Sequence, residues 1–197
     1  MDYKTTFDAL GNVDIYVIDQ ILKGQYQNGQ SILDAGCGKG RNLKWFYQND
    51  YEIFGIDADA EFLSFAKAQY PKTEGNFITG TLDDLPYDEN SFDHILCCAV
   101  LHFAESGTHF TAMFSELIRV LKPDGMLLIR MASNIGLDGN APEIIFKDNG
   151  KKGNYYLTRE RIADLITEFN IELIEPIKTT NVKDERAMTT LVLQKMF

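Results

Sequence analysis

The chain has 197 residues, 45% of them hydrophobic, and a formal net charge of −10. That length predicts one domain with a sizeable core. The acidic balance argues against the broad basic face that nucleic-acid binding needs and reads as a solubility device. No stretch is long and apolar enough to predict a membrane span, and residues 1–11 lack the basic and apolar segments of a signal peptide. Cys37, Cys97 and Cys98 form neither a CxxC pair nor an even framework, which suits a reducing cytoplasm.

Residues 1–30 read as a helical cover. Ile15, Ile18 and Leu22, with Val17 and Ile21 beside them, have helical spacing that ends at Gly24. Tyr3, Phe7 and Tyr16 either pack on the core or help to close a pocket. Ser31 to Asn42 then gives a buried strand through Ile32 and Leu33, and a turn at Gly36, Gly38 and Gly40. A helix follows, opened by Leu43, Trp45, Phe46 and Tyr47. Glycine tolerates positive φ and lets another group approach the backbone. A strand, a glycine turn and a helix form a small-molecule cradle at the carboxyl end of the strand.

Ile53 to Ile56 predict a second buried strand ending at Asp57. Phe62, Leu63, Phe65 and Ala66 predict a helix stopped by Pro71. Phe77 and Ile78 mark a short third strand. Ile95 to Val100 form a fourth, apolar on both faces like a central parallel strand. Phe110, Met113, Phe114, Leu117, Ile118 and Leu121 predict a helix over 108–121. Lys122-Pro123-Asp124-Gly125 is a turn signal, and Met126 to Ile129 a fifth strand. Met131 to Leu157 has no period and reads as a substrate lid. Thr158 caps a last helix through Ile162, Leu165, Ile166 and Phe169. Ile171 to Ile177 and Met188 to Leu193 are two final strands, joined too closely for a helical crossover and therefore antiparallel. The expected fold is α/β: a doubly wound, mostly parallel seven-stranded sheet with a C-terminal antiparallel hairpin.

Asp34-Ala35-Gly36-Cys37-Gly38-Lys39-Gly40 resembles the first motif of class I S-adenosylmethionine-dependent methyltransferases. Asp57 resembles that family's acid at the end of the second strand. Leu85-Pro86-Tyr87, Ser91-Phe92-Asp93, Val100-Leu101-His102 and Arg119 to Gly125 continue the likeness, which covers about Ser31 to Arg130. Gly38 to Asn42, with Tyr51 and Asp57, is similar to tellurite- and thiol-type members and equally to enzymes acting on small metabolites.

The resemblance implies S-adenosylmethionine as cofactor and a Rossmann-like fold. It implies that Asp57 accepts from the ribose hydroxyls, for which a carboxylate offers about four lone-pair sites. Asp57 follows Gly40 by 17 positions, near the roughly 20 expected of a ribose-binding acid; capping the helix near Ala60 is its other reading. Asp34 suits the cofactor's ammonium, or braces the loop amides. Gly36 and Gly38 lie against the methionine part, and Cys37, Gly40, Asn42 and Ala58 belong to the same binding set. Thr81 stands where many members have an aspartate, so the adenine contact falls to Thr81, Leu82, Asp83 or backbone amides; Asp83 also reads as a solvated turn residue. Cys98 ends the fourth strand near the methyl group, with Cys97 on the opposite face.

His102 is the candidate base, or a packing residue. Arg130, Tyr155 and Tyr156 are candidates for substrate contact, although the tyrosines also read as ordinary surface or core residues. His94, His102 and His109 lack metal-ligand spacing, so no metal site is expected. The expected reaction is direct displacement of the methyl group onto a small-molecule acceptor. The expected protein is a cytoplasmic monomer or homodimer that binds neither nucleic acid nor membrane. Two rivals stand. A nicotinamide-dependent oxidoreductase would want a glycine where Arg41 is. The other rival is a cofactor-binding protein of this shape without turnover.

Overall fold

Alternation along the central strands decides which side chain meets which helical layer. On β1 (Ser31–Ala35), Ile32 and Leu33 are both fully buried and enter opposite cores, as expected of a strand covered on both faces. The structure, a computed structural model, describes residues 2–137, 144–145 and 154–197.

The main sheet also contains β2 (Glu52–Asp57), β3 (Phe77–Thr79), β4 (Phe92–Cys98) and β5 (Leu121–Ser133). Further along the chain come β6 (Ile144–Ile145) and β7 (Asn154–Tyr155), which form a separate antiparallel pair. The chain ends with β8 (Ile171–Leu173), β9 (Lys178–Val182) and β10 (Arg186–Lys195). The main sheet runs β3-β2-β1-β4-β5-β10-β8, with β9 on β10. The first five strands are parallel, and β10 is antiparallel to β5, β8 and β9. Strand order reverses between β1 and β4, and a crevice opens at such a switch point.

Among the described residues the α-helices are α1 (Tyr3–Leu10), α2 (Ile15–Leu22), α3 (Lys44–Gln48), α4 (Ala60–Gln69), α5 (Gly107–Val120) and α6 (Arg159–Glu168). Val17, Phe46, Leu63 and Ala66 pack with Ile32, Leu96 and Leu128 on one face. Phe110, Phe114, Leu117, Ile162 and Leu165 pack with Leu33, Ile95 and Leu127 on the other. Among the described residues no helix is long and apolar enough to cross a membrane.

α1 falls within the expected helical cover of residues 1–30, with Tyr3, Phe7 and Leu10 at helical spacing, although it buries none of its residues. The structure departs from expectation in three places. β5 does not stop near Ile129. Its partner β10 runs opposite it from Gln194 against Met126 to Ala187 against Ser133, so residues 131–133 belong to the sheet rather than to a lid. The turn at 122–125 loops out inside β5, between the Phe92–Leu121 and His94–Met126 pairs, with Asp124 at φ 63°. Strand β9 brings the main sheet to eight strands rather than seven; it is a polar, largely exposed edge strand without hydrophobic alternation. Residues 138–143 and 146–153, most of the expected lid, lie outside the described residues.

Gly55 lies opposite Phe77 in the β2–β3 pair. A Cβ there would come within 2.5 Å of the Phe77 ring and 2.9 Å of the Cys37 sulfur. Gly55→Ala should therefore destabilise the fold by about 1–3 kcal/mol, the usual cost of overpacking. Urea unfolding measures it, and an unchanged midpoint would contradict this packing.

Candidate active site

β1 ends by delivering Asp34 into the protein interior. The residue is 1% exposed, and neither carboxyl oxygen has a hydrogen-bond partner among the described residues. Burial pushes this carboxyl up to about 7, against the opposing pull of the Arg41 cation and of the nearby Asn42 side chain.

The glycine turn is sewn to β2 just above it. The Gly36 and Cys37 N–H groups both donate to the Ile56 carbonyl, at 2.8 and 3.0 Å. Gly36 has φ 78°, and a Cβ on it would strike Val100 at 2.3 Å, so both conformation and space demand glycine. The Gly38 N–H donates to Asp57 Oδ2 at 2.7 Å, while Asp57 Oδ1 accepts from the Asp59 N–H at 2.9 Å. Asp57 therefore joins the glycine turn to the end of β2. The helix-capping role falls to Asp59, which accepts from the Glu61 and Phe62 N–H groups at 2.9 and 3.1 Å.

Above the turn lies a cavity of about 610 Å³. Gly36, Gly38, Asp57, Ala58, Thr81, Leu82, Asp83 and Cys98 line it, all of them singled out from the sequence. Asp34, Cys37, Gly40 and Asn42 lie outside its wall. Asp34 is buried behind the glycine turn it leads into, and Cys37 is buried against Gly55. Gly40 accepts from the Tyr70 hydroxyl at 2.7 Å, and Asn42 Oδ1 accepts from the Asp14 N–H at 3.1 Å.

Sequence reasoning missed Phe62, Phe103, Glu105, His109 and Met113 on the same wall. Phe103 is 65% exposed, and a large exposed aromatic beside a cleft is a signal that only structure supplies. His109 Nδ1 accepts from the Glu105 N–H at 3.2 Å, and its Nε2 lies 4.0 Å from Asp83. The Thr81 hydroxyl beside Asp83 holds that carboxyl below its ordinary range. Burial pushes the Cys37, Cys97 and Cys98 thiols upward, so all three stay protonated near neutral pH.

Ala99, at φ 65°, is a non-glycine residue in the left-handed region, and its N–H donates to the Arg130 carbonyl at 2.7 Å. It lines the first cavity and also a second one of about 280 Å³. The second cavity brings together His102 and Arg130, both singled out from the sequence, with Ala132, Arg186 and Met188. His102 Nδ1 accepts from the Ala132 N–H at 3.4 Å.

Tyr155 and Tyr156 line neither cavity. Tyr155 is fully buried and stacks on Phe110 with ring centres 4.5 Å apart, which makes it a core residue rather than a pocket residue. Among the described residues, no three His, Cys, Asp or Glu side chains group so as to hold a metal ion.

A parallel sheet reversing at β1–β4, a glycine turn bound to an acid at the end of β2, and a buried acid at the end of β1 define a class I methyltransferase scaffold. Residues 33–129 match the family model described as a methyltransferase domain. Over those residues, just under half of the chain, it is similar to methyltransferase domains, and its fold is that of S-adenosylmethionine-dependent methyltransferases. One relative, an uncharacterized methyltransferase of Bacillus subtilis called YodH, is 36% identical over 102 residues. The match covers 50% of this chain and 42% of YodH. The chain spans about half the length of the curated relatives it matches.

Among solved structures, the 1,6-didemethyltoxoflavin-N1-methyltransferase of Burkholderia thailandensis, with its namesake ligand and S-adenosylhomocysteine bound, superposes with a TM-score of 0.72. It is 15% identical, and the match covers 98% of this chain and 82% of that one. The [4+2]-cyclase SpnF gives a TM-score of 0.68 at 16% identity, over 91% of this chain and 81% of its own. At such identities these likenesses establish the fold.

The Asp34 carboxyl makes stability pH-dependent. Its pKa is raised in the folded chain, so its contribution is fully present below about 4, where the group is protonated in both states. That contribution is lost as the pH rises through about 7, because the unfolded chain ionises first. Asp34→Asn removes the loss. The melting temperature of the variant relative to wild type should climb between pH 5 and 8 in calorimetry, and a pH-independent difference would contradict the buried acid.

Proposed function

We propose that the chain moves a methyl group from S-adenosylmethionine to a small-molecule acceptor by direct displacement. The observation that carries this reading is the pair of acids at the ends of β1 and β2. Asp34 is buried and unpartnered, and Asp57 is bound to the glycine turn. A buried carboxylate without a donor is costly and calls for a cation or a proton. The cofactor's ammonium answers that need, directly or through water, so the residues present fit the group.

Asp57 would accept from the ribose hydroxyls with the lone pairs that Gly38 and Asp59 leave over. Thr81, Leu82, Asp83 and Ala58 would border the adenine, and the Gly36–Gly38 backbone the methionine part. When bound, the cofactor supplies a methyl group on a positively charged sulfur.

The chain's own part is mainly alignment and exclusion of water. Cys98 stays protonated beside the cleft, so the protein's own thiol does not compete as nucleophile. His102 accepts the Ala132 N–H at Nδ1, which leaves the proton of the neutral ring on Nε2. An acceptor that arrives as an anion, such as a thiolate, needs no base from the chain.

A nicotinamide enzyme is the weaker reading: Arg41 stands where its third glycine belongs. The cyclase of the same fold is a reminder that shape alone does not fix chemistry. The net charge of −10 and the three free thiols support a cytoplasmic protein that does not bind nucleic acid.

Calorimetry should give heat with S-adenosylhomocysteine and none with NAD. Asp57→Ala should weaken S-adenosylhomocysteine by about 2–3 kcal/mol, the range for losing a charged hydrogen-bond partner. NAD binding, or undiminished affinity in a folded Asp57→Ala variant, would overturn the assignment. Release of S-adenosylhomocysteine across a panel of small thiols, amines and phenols tests turnover and identifies the acceptor. Cofactor binding with no release would favour a protein without methyl transfer.

A further inference from the structure

The second cavity is lined by two arginines and no carboxylate: Ala99, His102, Arg130, Ala132, Arg186 and Met188 surround it. Strand geometry explains the set. Side chains two apart on a strand share a face, which pairs Arg130 with Ala132 on β5 and Arg186 with Met188 on β10. Ala132 lies directly opposite Met188 in the antiparallel register, so all four occupy one face. Ala99 joins this face to the cofactor cleft.

The charges there do not balance. Arg130 Nη1 is 3.3 Å from Asp14 Oδ2, but Arg41 Nη2 shares the same oxygen at 3.6 Å. One buried carboxylate thus serves two guanidinium groups. Arg130 Nε is buried and has no acceptor among the described residues. Arg186 is exposed and forms no ion pair with any described carboxylate. The acids on the neighbouring surface, Asp19 and Glu175, are already engaged by Lys23 and Lys178. Two guanidinium groups on one cavity wall, one of them without an ion pair among the described carboxylates, suit a planar or tetrahedral oxyanion.

The geometry points to an oxyanion site, held by Arg130 and Arg186, that binds a carboxylate or phosphate group of the methyl acceptor. The inference rests on the methyltransferase reading, because only then does the cavity beyond Ala99 belong to an acceptor. His102 would serve it as a positioning residue. A neutral acceptor of the same shape would leave the arginines unpaired and bind more weakly.

The test uses the full chain saturated with S-adenosylhomocysteine, titrated with inorganic phosphate at constant ionic strength and followed by ³¹P line broadening. Wild type should bind phosphate. R186Q should weaken phosphate by about tenfold or more, the typical effect of losing a charged hydrogen bond, and leave S-adenosylhomocysteine affinity unchanged in calorimetry. R186E should abolish phosphate binding. Since Arg130→Gln alone would strand Asp14, the second variant is Asp14→Asn with Arg130→Gln, also expected to weaken phosphate. No phosphate binding by wild type, an adventitious ion only (binding equal in wild type and R186Q), or a change confined to S-adenosylhomocysteine would overturn the oxyanion site. If S-adenosylhomocysteine fails to bind, the cofactor reading fails. The wild-type and R186Q comparison with phosphate, run on the chain alone, still decides the arginine pocket.

Discussion

Taking an ionised carboxylate out of water costs several kcal/mol even after the protein relaxes, and Asp34 sits at the end of β1 with no donor on either oxygen. The fold meets that cost by holding the group protonated up to about pH 7. Burial raises the pKa, and no basic side chain touches the carboxyl; Arg41 acts on it from a distance. The free chain therefore keeps an acid whose charge a cationic ligand can draw out. Much of the surrounding architecture explains why Asp34 stays where it is. The Gly36 and Cys37 amides close the turn onto Ile56, and Val100 fills the space where a Gly36 side chain would lie.

Asp14 ties the segment after the glycine turn to the wall of the second cavity. Its backbone N–H donates to Asn42, its Oδ1 caps α2 through the Tyr16 N–H, and its Oδ2 lies between Arg41 and Arg130. One residue thus connects the N-terminal cover, the segment after the glycine turn, and β5. Ala99 completes the link, because a left-handed residue at the end of β4 borders both cavities. Strain of this kind persists where surrounding structure over-determines it, and it collects at sites of function.

The parts legible from sequence are those whose signal is local. The glycine turn, Asp34, Asp57 and the ends of β2 and β4 sit in short motifs flanked by apolar runs, and strand alternation separates Cys97 from Cys98. What was missed depends on pairing between distant residues. β5 reaches Ser133 because β10 lies opposite it, and nothing in Arg130-Met131-Ala132-Ser133 announces that. Arg186 joins Arg130 through the same register. β9 is polar because its side chains are largely exposed, so it leaves no alternating pattern. Tyr155 stands amid polar residues in sequence, yet its ring is captured by Phe110.

The central claim is that Asp34 is an uncharged acid in the free chain and a carboxylate once a cationic ligand is bound. Selective ¹³C labelling of aspartate side chains, with Asp34→Asn to assign the resonance, reads that directly. The Asp34 carboxyl carbon should titrate near pH 7 in the free chain. In saturating S-adenosylhomocysteine it should titrate well below that value. A carboxyl that titrates near 4 in the free chain, or that does not respond to the ligand, would contradict the account.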